Sequence, residues 1–226
     1  PLQSKQAKAV QQPDVATLFK QGLALHQQGK LAQAKAIYEQ VLAKNPQHFD
    51  ALHLSGVMAV QSKNLNLAIE LIGKAIEINP NNAASYSNRG VALKELKRVE
   101  EAVASYDRAI ELKPDFAEAY WNKSLVLLLN GDFELGWELY EWRWKKEDTA
   151  KHKRNFSQPL WLGLEDIADK TILLHSEQGL GDTIQFARYL PLLRGRGVQV
   201  SLAAQPQLQG LLGDSGISLG STTSRA

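Results

Sequence analysis

The sequence repeats itself every 34 residues, and this period constrains the fold more strongly than any other feature. A glycine, an alanine and a proline each recur in register. These residues are Gly22, Gly56 and Gly90; Ala34, Ala68 and Ala102; and Pro46, Pro80 and Pro114. Large side chains recur at the fourth repeat position (Leu18, Leu52, Tyr86, Tyr120) and the twenty-fourth (Tyr38, Ile72, Tyr106, Tyr140). The pattern indicates a stack of similar structural units.

Each recurring residue type has a packing reason. Glycine and alanine allow two antiparallel helices to approach closely, so that the large side chains interlock. Proline ends the second helix because it lacks a backbone N–H and disfavours a helical residue before it. The sequence therefore predicts helix pairs, stacked into a right-handed solenoid with a concave face. The predicted pairs are 15–28 with 31–44, 49–62 with 65–78, 83–96 with 99–112, and 117–130 with 133–146.

The period and residue order resemble those of the tetratricopeptide repeat over residues 15–148. The repeats are 15–48, 49–82, 83–116 and a degenerate 117–150, after a flexible N-terminus at 1–14. The fourth copy has Ser124, Gly136 and Asp148 where glycine, alanine and proline are expected, as is typical of a terminal, capping repeat. The resemblance implies a protein-interaction module that binds a protein or peptide.

Aromatic residues are concentrated where the repeats end. Four of the five tryptophans lie between positions 137 and 161, and a basic stretch, 145–154, follows the first three of them. Because bulky aromatics dominate the energetics of buried contacts, we interpret 149–169 as a connector packed against a next domain. Two alternatives stay open: the aromatics cap the solenoid, or they form a sugar-stacking platform.

The periodicity changes from helical to strand-like after Lys170. The sequence predicts a strand, a glycine loop, a helix, a second strand and a second helix, which belong to a parallel sheet. The predicted segments are 171–175, 176–181, 182–193, 198–202 and 206–212. The predicted fold class is mainly α: a helical solenoid followed by a partial α/β, Rossmann-like segment at 170–226.

Two common nucleotide sites do not match the glycine loop. A dinucleotide site needs a third glycine where Ile184 stands, and an acidic residue near the end of the second strand, where the chain reads Ala203-Ala-Gln205. A phosphate-binding P-loop needs a Lys-Ser/Thr pair after the loop, which is missing. A purely structural tight turn stays open.

The segment from Lys170 to Pro191, which includes Gly179-Leu-Gly-Asp182, resembles the opening of heptosyltransferase-like glycosyltransferases of the GT-B fold. The resemblance covers about 161–212. It implies that Asp182 is a candidate general base on the acceptor hydroxyl, and that a nucleotide-sugar donor binds mainly to a second domain. That domain is not among these 226 residues, so we expect this chain alone to be inactive.

Other residues of the loop have both a functional and a structural interpretation. Gly179 and Gly181 allow close backbone approach to a substrate, and His175 and Glu177 lie at the carboxyl end of the strand, where α/β sites form. Asp182 also stands where a helix N-cap belongs, so capping alone, catalysis alone and both together stay open.

The concave face provides the candidate peptide site, and its composition is mixed but rather apolar. The candidate groove residues are Phe19, His26, His53, Asn88, Lys94, Trp121 and Asn122. Binding of an acidic peptide C-terminus is disfavoured, because Phe19 and Leu23 stand where lysine and asparagine are needed. Asn88 and Asn122 lie 34 residues apart and resemble the asparagine ladder of the O-linked N-acetylglucosamine transferases. Such amides can bond a peptide backbone, although solvated or packing roles stay open.

Composition excludes several classes of function. A net charge of +2 disfavours nucleic-acid binding, and no apolar run is long enough for membrane insertion. The absence of cysteine excludes disulfides and thiolate metal sites and suggests a cytoplasmic location. We expect no metal or other cofactor, and self-association through the incomplete sheet.

Two functions remain. The first is a protein-interaction repeat module attached to the start of a glycosyltransferase-like domain. The alternative is a non-enzymatic scaffold with a vestigial or structural α/β segment.

Overall fold

The computed structural model describes residues 13–163, 165–177 and 179–214. The chain divides into two compact units, with the boundary between Arg154 and Asn155. Within the described ranges, no helix combines the length and the apolar composition needed to cross a bilayer.

The first unit, which we call the repeat unit, consists mainly of antiparallel helical hairpins. Its helices are α1 (Val15–Gln27), α2 (Leu31–Lys44), α3 (Phe49–Gln61), α4 (Leu65–Ile78), α5 (Ala83–Glu95), α6 (Val99–Leu112), α7 (Ala117–Leu129) and α8 (Phe133–Tyr140). The predicted helical solenoid is confirmed, and the ends of α1 to α7 lie within one residue of the predicted bounds. Asp14 caps α1 by accepting the Thr17 backbone N–H at 2.7 Å.

The recurring glycines lie where the two helices of a hairpin are closest. A Cβ atom added to Gly22, Gly56 or Gly90 would lie 2.8, 2.5 or 2.6 Å from a side-chain atom of the residue at repeat position 24. Real Cβ contacts are longer than this, so a larger residue would force the helices apart. The alanines at repeat position 20, Ala34, Ala68 and Ala102, are fully buried in the same interfaces.

A left-handed residue links the helices in every hairpin. It lies at the same repeat position each time: Gly29, Lys63, Lys97 and Gly131, with φ of 74°, 60°, 60° and 88°. Glycine adopts this conformation without strain, whereas lysine does so at a cost of about 1–2 kcal/mol. The turn is therefore set by the stacked helices and not by the residue that occupies it.

The hairpins stack in chain order. The second helix of each hairpin contacts the first helix of the next, in the pairs α2 with α3, α4 with α5, and α6 with α7. An ion pair of 2.6 Å between Asp107 of α6 and Lys123 of α7 joins the last of these pairs. The first helices also contact one another, α3 with α5 and α5 with α7, so they lie along one face, the predicted concave face.

The fourth hairpin differs from the prediction. The expected helix at 133–146 ends at Tyr140, and a 3₁₀ helix, Glu141–Lys145, and a short helix α9, Glu147–Ala150, follow it. The change of helix type coincides with an aromatic contact: the rings of Trp142 and Tyr120 stack with centroids 3.7 Å apart and planes 8° apart. The chain therefore folds back onto α7 instead of extending α8.

The second unit, which we call the α/β unit, contains the strands β1 (Thr171–His175) and β2 (Gln199–Ala203) and the helices α10 (Leu180–Ala187), α11 (Leu190–Arg194) and α12 (Gln209–Asp214). The strands are parallel, with Thr171 opposite Gln199 and His175 opposite Ala203. Leu190, Val200 and Leu202 belong to its buried core.

The Rossmann-like expectation has only limited support in this unit. The sheet has two strands among the described residues, and residues 215–226 of the predicted α/β segment at 170–226 lie outside them. The single helix predicted at 182–193 is two helices, α10 and α11. Pro191 lies in the first turn of α11 and has no N–H to continue the hydrogen bonding of α10, which explains the break.

We expect the substitution Gly90→Ala to destabilise the repeat unit by about 1–3 kcal/mol, because the new methyl group overlaps the Tyr106 ring. Gly73→Ala is the matched control: Gly73 lies in α4 with no atom within 4 Å of an added Cβ. The control should stabilise the unit by about 0.5–1 kcal/mol. Urea denaturation followed by helical circular dichroism measures both changes, and equal effects would contradict the close-approach interpretation.

Candidate binding groove and glycine loop

The first helices of the repeats supply an apolar row along the predicted concave face. The ninth position of successive repeats is occupied by Leu23, Val57, Val91 and Leu125, and each of these side chains is half-buried. Partial burial means that each residue packs on its neighbours and still presents apolar surface. The row can therefore contact apolar side chains of a ligand over four repeats.

A polar pair lies beside this row and links two repeats. Asn88 Nδ2 of α5 lies 2.9 Å from Nε2 of His53 of α3. Burial lowers the pKa of His53, and the nearby Asp50 carboxylate partly opposes this change. A lowered pKa favours the neutral ring, whose unprotonated nitrogen can accept the Asn88 amide hydrogen. The predicted groove residues His53 and Asn88 are therefore a hydrogen-bonded pair that joins two repeats.

Asn122 occupies the repeat position of Asn88, one repeat further along. Its side chain is 5% exposed. Within the described residues, the Asn122 amide has no hydrogen-bond partner. Neither amide atom is among the fully buried polar atoms that lack a partner in the described residues, so the amide still reaches solvent. The Asn122 amide can therefore bond a ligand that enters the groove.

The groove residues of the first repeat also pack within the repeat unit. The Phe19 ring lies 5.9 Å from the Tyr38 ring and 4.8 Å from the His48 ring. Nδ1 of His26 lies 3.4 Å from the Tyr38 hydroxyl oxygen. Phe19 and His26 are half-buried, so they can present only part of their surface to a ligand.

Lys94 brings a positive charge to the groove, and a carboxylate lies beside it. Lys94 Nζ lies 3.8 Å from one carboxylate oxygen of Glu95, and Lys63 Nζ lies 2.7 Å from the other. The hydrogen bond from Lys63 lowers the pKa of Glu95. Because the Glu95 carboxylate lies between Lys63 and Lys94, opposite charges partly cancel, and this part of the groove has no strong electrostatic field of one sign.

Trp121 is half-buried and is contacted by the segment that follows α8. Nζ of Lys146 lies 3.7 Å from the Trp121 ring centroid and also 3.7 Å from Asp148 Oδ2. The Lys146 side chain is only 14% exposed. Lys146 is not among the predicted groove residues, although it lies in the basic stretch that follows the tryptophan cluster. The contact places a cation over one end of the groove.

The glycine loop lies between β1 and α10. Gly179 is the N-cap of α10, and its N–H donates to Asp182 Oδ2 at 3.2 Å. Asp182 is therefore not the N-cap, as one interpretation of the sequence expected, but the third residue of the helix. From this position its carboxylate reaches back to the cap, as in a capping box. Gly181 lies in open space, since an added Cβ would meet no atom within 4 Å.

The other loop candidates lie close together. Nε2 of His175, the last residue of β1, is 4.0 Å from Oε1 of Glu177. The Phe156 ring lies 5.0 Å from the His175 ring. Nδ1 of His175 is buried without a hydrogen-bond partner in the described part of the chain. No group of three or more potential ligands within the described ranges is arranged to hold a metal ion.

Comparison with protein families identifies the repeats. Three tetratricopeptide-repeat family models match residues 19–83, 71–104 and 92–131. The chain therefore contains tetratricopeptide repeats, as the sequence resemblance implied. All three matches lie within the repeat unit.

Solved structures agree with this assignment. The structure titled MamA 41-end from Desulfovibrio magneticus RS-1 is 22% identical, with a TM-score of 0.54, over 57% of this chain and 72% of that chain. MamA AMB-1 is 26% identical, with a TM-score of 0.52, over 57% of this chain and 76% of that chain. Among curated proteins, no significant match was found. These comparisons support the fold and a protein-interaction role, and they give no support for a glycosyltransferase-like domain.

We expect the stability of the repeat unit to fall as the pH falls below about 6.5, the ordinary histidine pKa. Because the pKa of His53 is lowered in the folded protein, the unfolded chain binds a proton first. The loss should grow until the pH reaches the folded-state pKa. Urea denaturation at several pH values should show a smaller loss for His53→Gln, and an equal loss in both proteins would contradict the prediction.

Proposed function

We propose that the concave face of the repeat unit binds an extended segment of a partner protein through its backbone. The observation that carries the proposal is Asn122, which is 5% exposed and whose amide has no partner among the described residues. An amide offers both donor and acceptor atoms, which match the C=O and N–H of a peptide unit. A ligand backbone can therefore satisfy Asn122 without a specific side chain.

Asn88 and the apolar row extend this site. Asn88 bonds His53 at 2.9 Å and keeps a further N–H and a carbonyl oxygen for a ligand. The half-buried Leu23, Val57 and Val91 offer apolar contact on the same face. The combination favours a peptide with apolar side chains over a highly charged one. Lys146, above Trp121, limits the groove at the fourth repeat.

We expect the double substitution Asn88→Ala and Asn122→Ala to weaken peptide binding about tenfold or more, since each amide hydrogen bond contributes about 1 kcal/mol. The probe is a set of peptides selected on the immobilised chain from a random dodecapeptide library, and fluorescence polarisation measures their affinity. Asn66→Ala is the matched control, because Asn66 is exposed on α4, away from the first helices.

Two outcomes would count against the proposal. If no peptide can be selected, the groove is not a peptide site. If the selected peptides bind the double variant as tightly as the unmodified chain, they bind elsewhere.

We further propose that the repeats recruit an acceptor or partner for a glycosyltransferase-like domain that begins in the α/β unit. The support is the sequence resemblance together with a strand, glycine loop, helix and parallel strand in the order that the resemblance implies. Asp182 is then the candidate general base: Oδ2 is held by Gly179, and Oδ1 has no partner in the described residues. A carboxylate oriented by one oxygen can accept a proton on the other.

The alternative is a scaffold in which the same loop is structural. The capping interaction between Asp182 and Gly179 favours it, because this contact alone accounts for an acidic residue at that position. The cytoplasmic location and the self-association through the sheet that the sequence suggested stay predictions.

We expect the 226-residue chain alone to transfer no sugar, because the related enzymes hold the donor mainly in a second domain. A radiolabelled transfer assay with a panel of nucleotide sugars checks this. Turnover that Asp182→Asn abolishes would show instead that these residues contain a complete enzyme. A second α/β domain encoded downstream in the parent gene would favour the glycosyltransferase over the scaffold.

A further inference from the structure

The last hairpin exposes an unusual amount of apolar surface. Phe133 and Trp137 of α8 are 60% and 54% exposed, and Leu129, at the end of α7, is 82% exposed. Phe133 and Trp137 are four residues apart and therefore lie on one side of α8. We call Leu129, Phe133 and Trp137 the terminal patch. The equivalents of Leu129 in the other repeats are Gln27, Gln61 and Glu95, all polar.

In the second and third repeats, the residue equivalent to Trp137 contacts the next hairpin. Trp137 occupies the twenty-first repeat position, where Ile69 and Val103 stand in the second and third repeats and the exposed Lys35 stands in the first. Ile69 packs against the buried clusters that contain Ala92 and Leu93 of the next hairpin. Val103 packs against the cluster that contains Val126 of the fourth. Trp137 therefore stands at a position that contacts the next hairpin in the second and third repeats, but no repeat follows it among the described residues.

The opposite end of the solenoid exposes the complementary positions. Ala24, at the tenth position of the first repeat, is exposed, whereas Met58, Ala92 and Val126 at the same position are at most 8% exposed. Thr17, at the third position, is likewise exposed. Its equivalents in the later repeats, Ala51, Ser85 and Ala119, are all fully buried. We call Thr17 and Ala24 the leading face.

We propose that the terminal patch of one copy of this chain docks on the leading face of a second copy, so that the repeat stack continues between molecules. The proposed contact continues the interfaces inside the chain, since position 21 of one repeat packs against the buried position 10 of the next in the second and third repeats. The sizes are also complementary, because Thr17 and Ala24 are small and leave room for the aromatic rings of Phe133 and Trp137.

The segment after α8 does not cover the patch. Trp142 stacks on Tyr120 and Lys146 covers Trp121, so this segment packs on α7. Exposed tryptophan and phenylalanine side by side are typical of protein interfaces, where such residues contribute most of the affinity.

This geometry makes a specific prediction about the size of the assembly. The two contact surfaces differ, so a stack of any length keeps a free leading face at one end and a free terminal patch at the other. Association is therefore open-ended: the mean mass rises with protein concentration and does not stop at a dimer. A symmetric contact between two terminal patches would stop at a dimer.

Three variants of the full chain test the proposal. Trp137→Arg alters the terminal patch, Ala24→Arg alters the leading face, and Leu173→Arg alters an exposed residue of β1 in the α/β unit. All three side chains are exposed, and circular dichroism checks that each variant folds. Light scattering after size exclusion, over a range of concentrations, measures the mass.

We expect Trp137→Arg and Ala24→Arg each to weaken association by about 30-fold or more, as for the loss of an interface hot spot. A mixture of these two variants should form a dimer and nothing larger. In that dimer the intact leading face of one variant meets the intact terminal patch of the other. Leu173→Arg should assemble like the unmodified chain.

Each other outcome overturns the proposal. A chain that stays monomeric at high concentration has no such contact. A mass that stops at a dimer indicates a symmetric interface. Assembly that only Leu173→Arg abolishes belongs to the sheet, and assembly that persists in both arginine variants of the repeat unit uses another surface. A mixture that stays monomeric shows that the two faces do not meet each other.

Discussion

The close approach of two helices at each glycine is the contact on which the repeat unit depends. Gly22, Gly56 and Gly90 lie directly against the large residue at position 24, so close that an added methyl group would overlap it. This approach determines the spacing of each hairpin, and hence the way one hairpin stacks on the next. It also explains why left-handed lysines are tolerated at Lys63 and Lys97: packing of two helices outweighs the strain of one turn residue.

Stacking of this kind gives the repeat unit three kinds of surface. The first helices form the face that carries Asn88, Asn122 and the apolar row, where we propose that an extended peptide binds. The two ends of the stack are the other surfaces, because every internal hairpin is covered on both sides and a terminal one is covered on one. The proposed binding along the groove and the proposed association at the ends therefore depend on different surfaces of the same stack.

The α/β unit is built from a two-stranded parallel sheet instead of helical hairpins, and its contacts say less about its function. Two parallel strands and the helices between them bury a small core, and the glycine loop is ordered by the hydrogen bond from Gly179 to Asp182. This bond accounts for the acidic residue by capping alone, so chemistry at Asp182 requires a substrate assay. For the repeats, in contrast, the sequence period, the helix packing and the comparison with known proteins all indicate the same fold.

The sequence by itself determined the repeats, because a 34-residue period places small and large side chains at positions that only paired helices can satisfy. Helix bounds followed to within one residue for α1 to α7. Tertiary structure alone decided which distant side chains meet: His53 with Asn88, Lys146 with Trp121, and Trp142 with Tyr120. These partners are 35, 25 and 22 positions apart. Local patterns specify the helix that carries a side chain, but its partner depends on how separate helices pack.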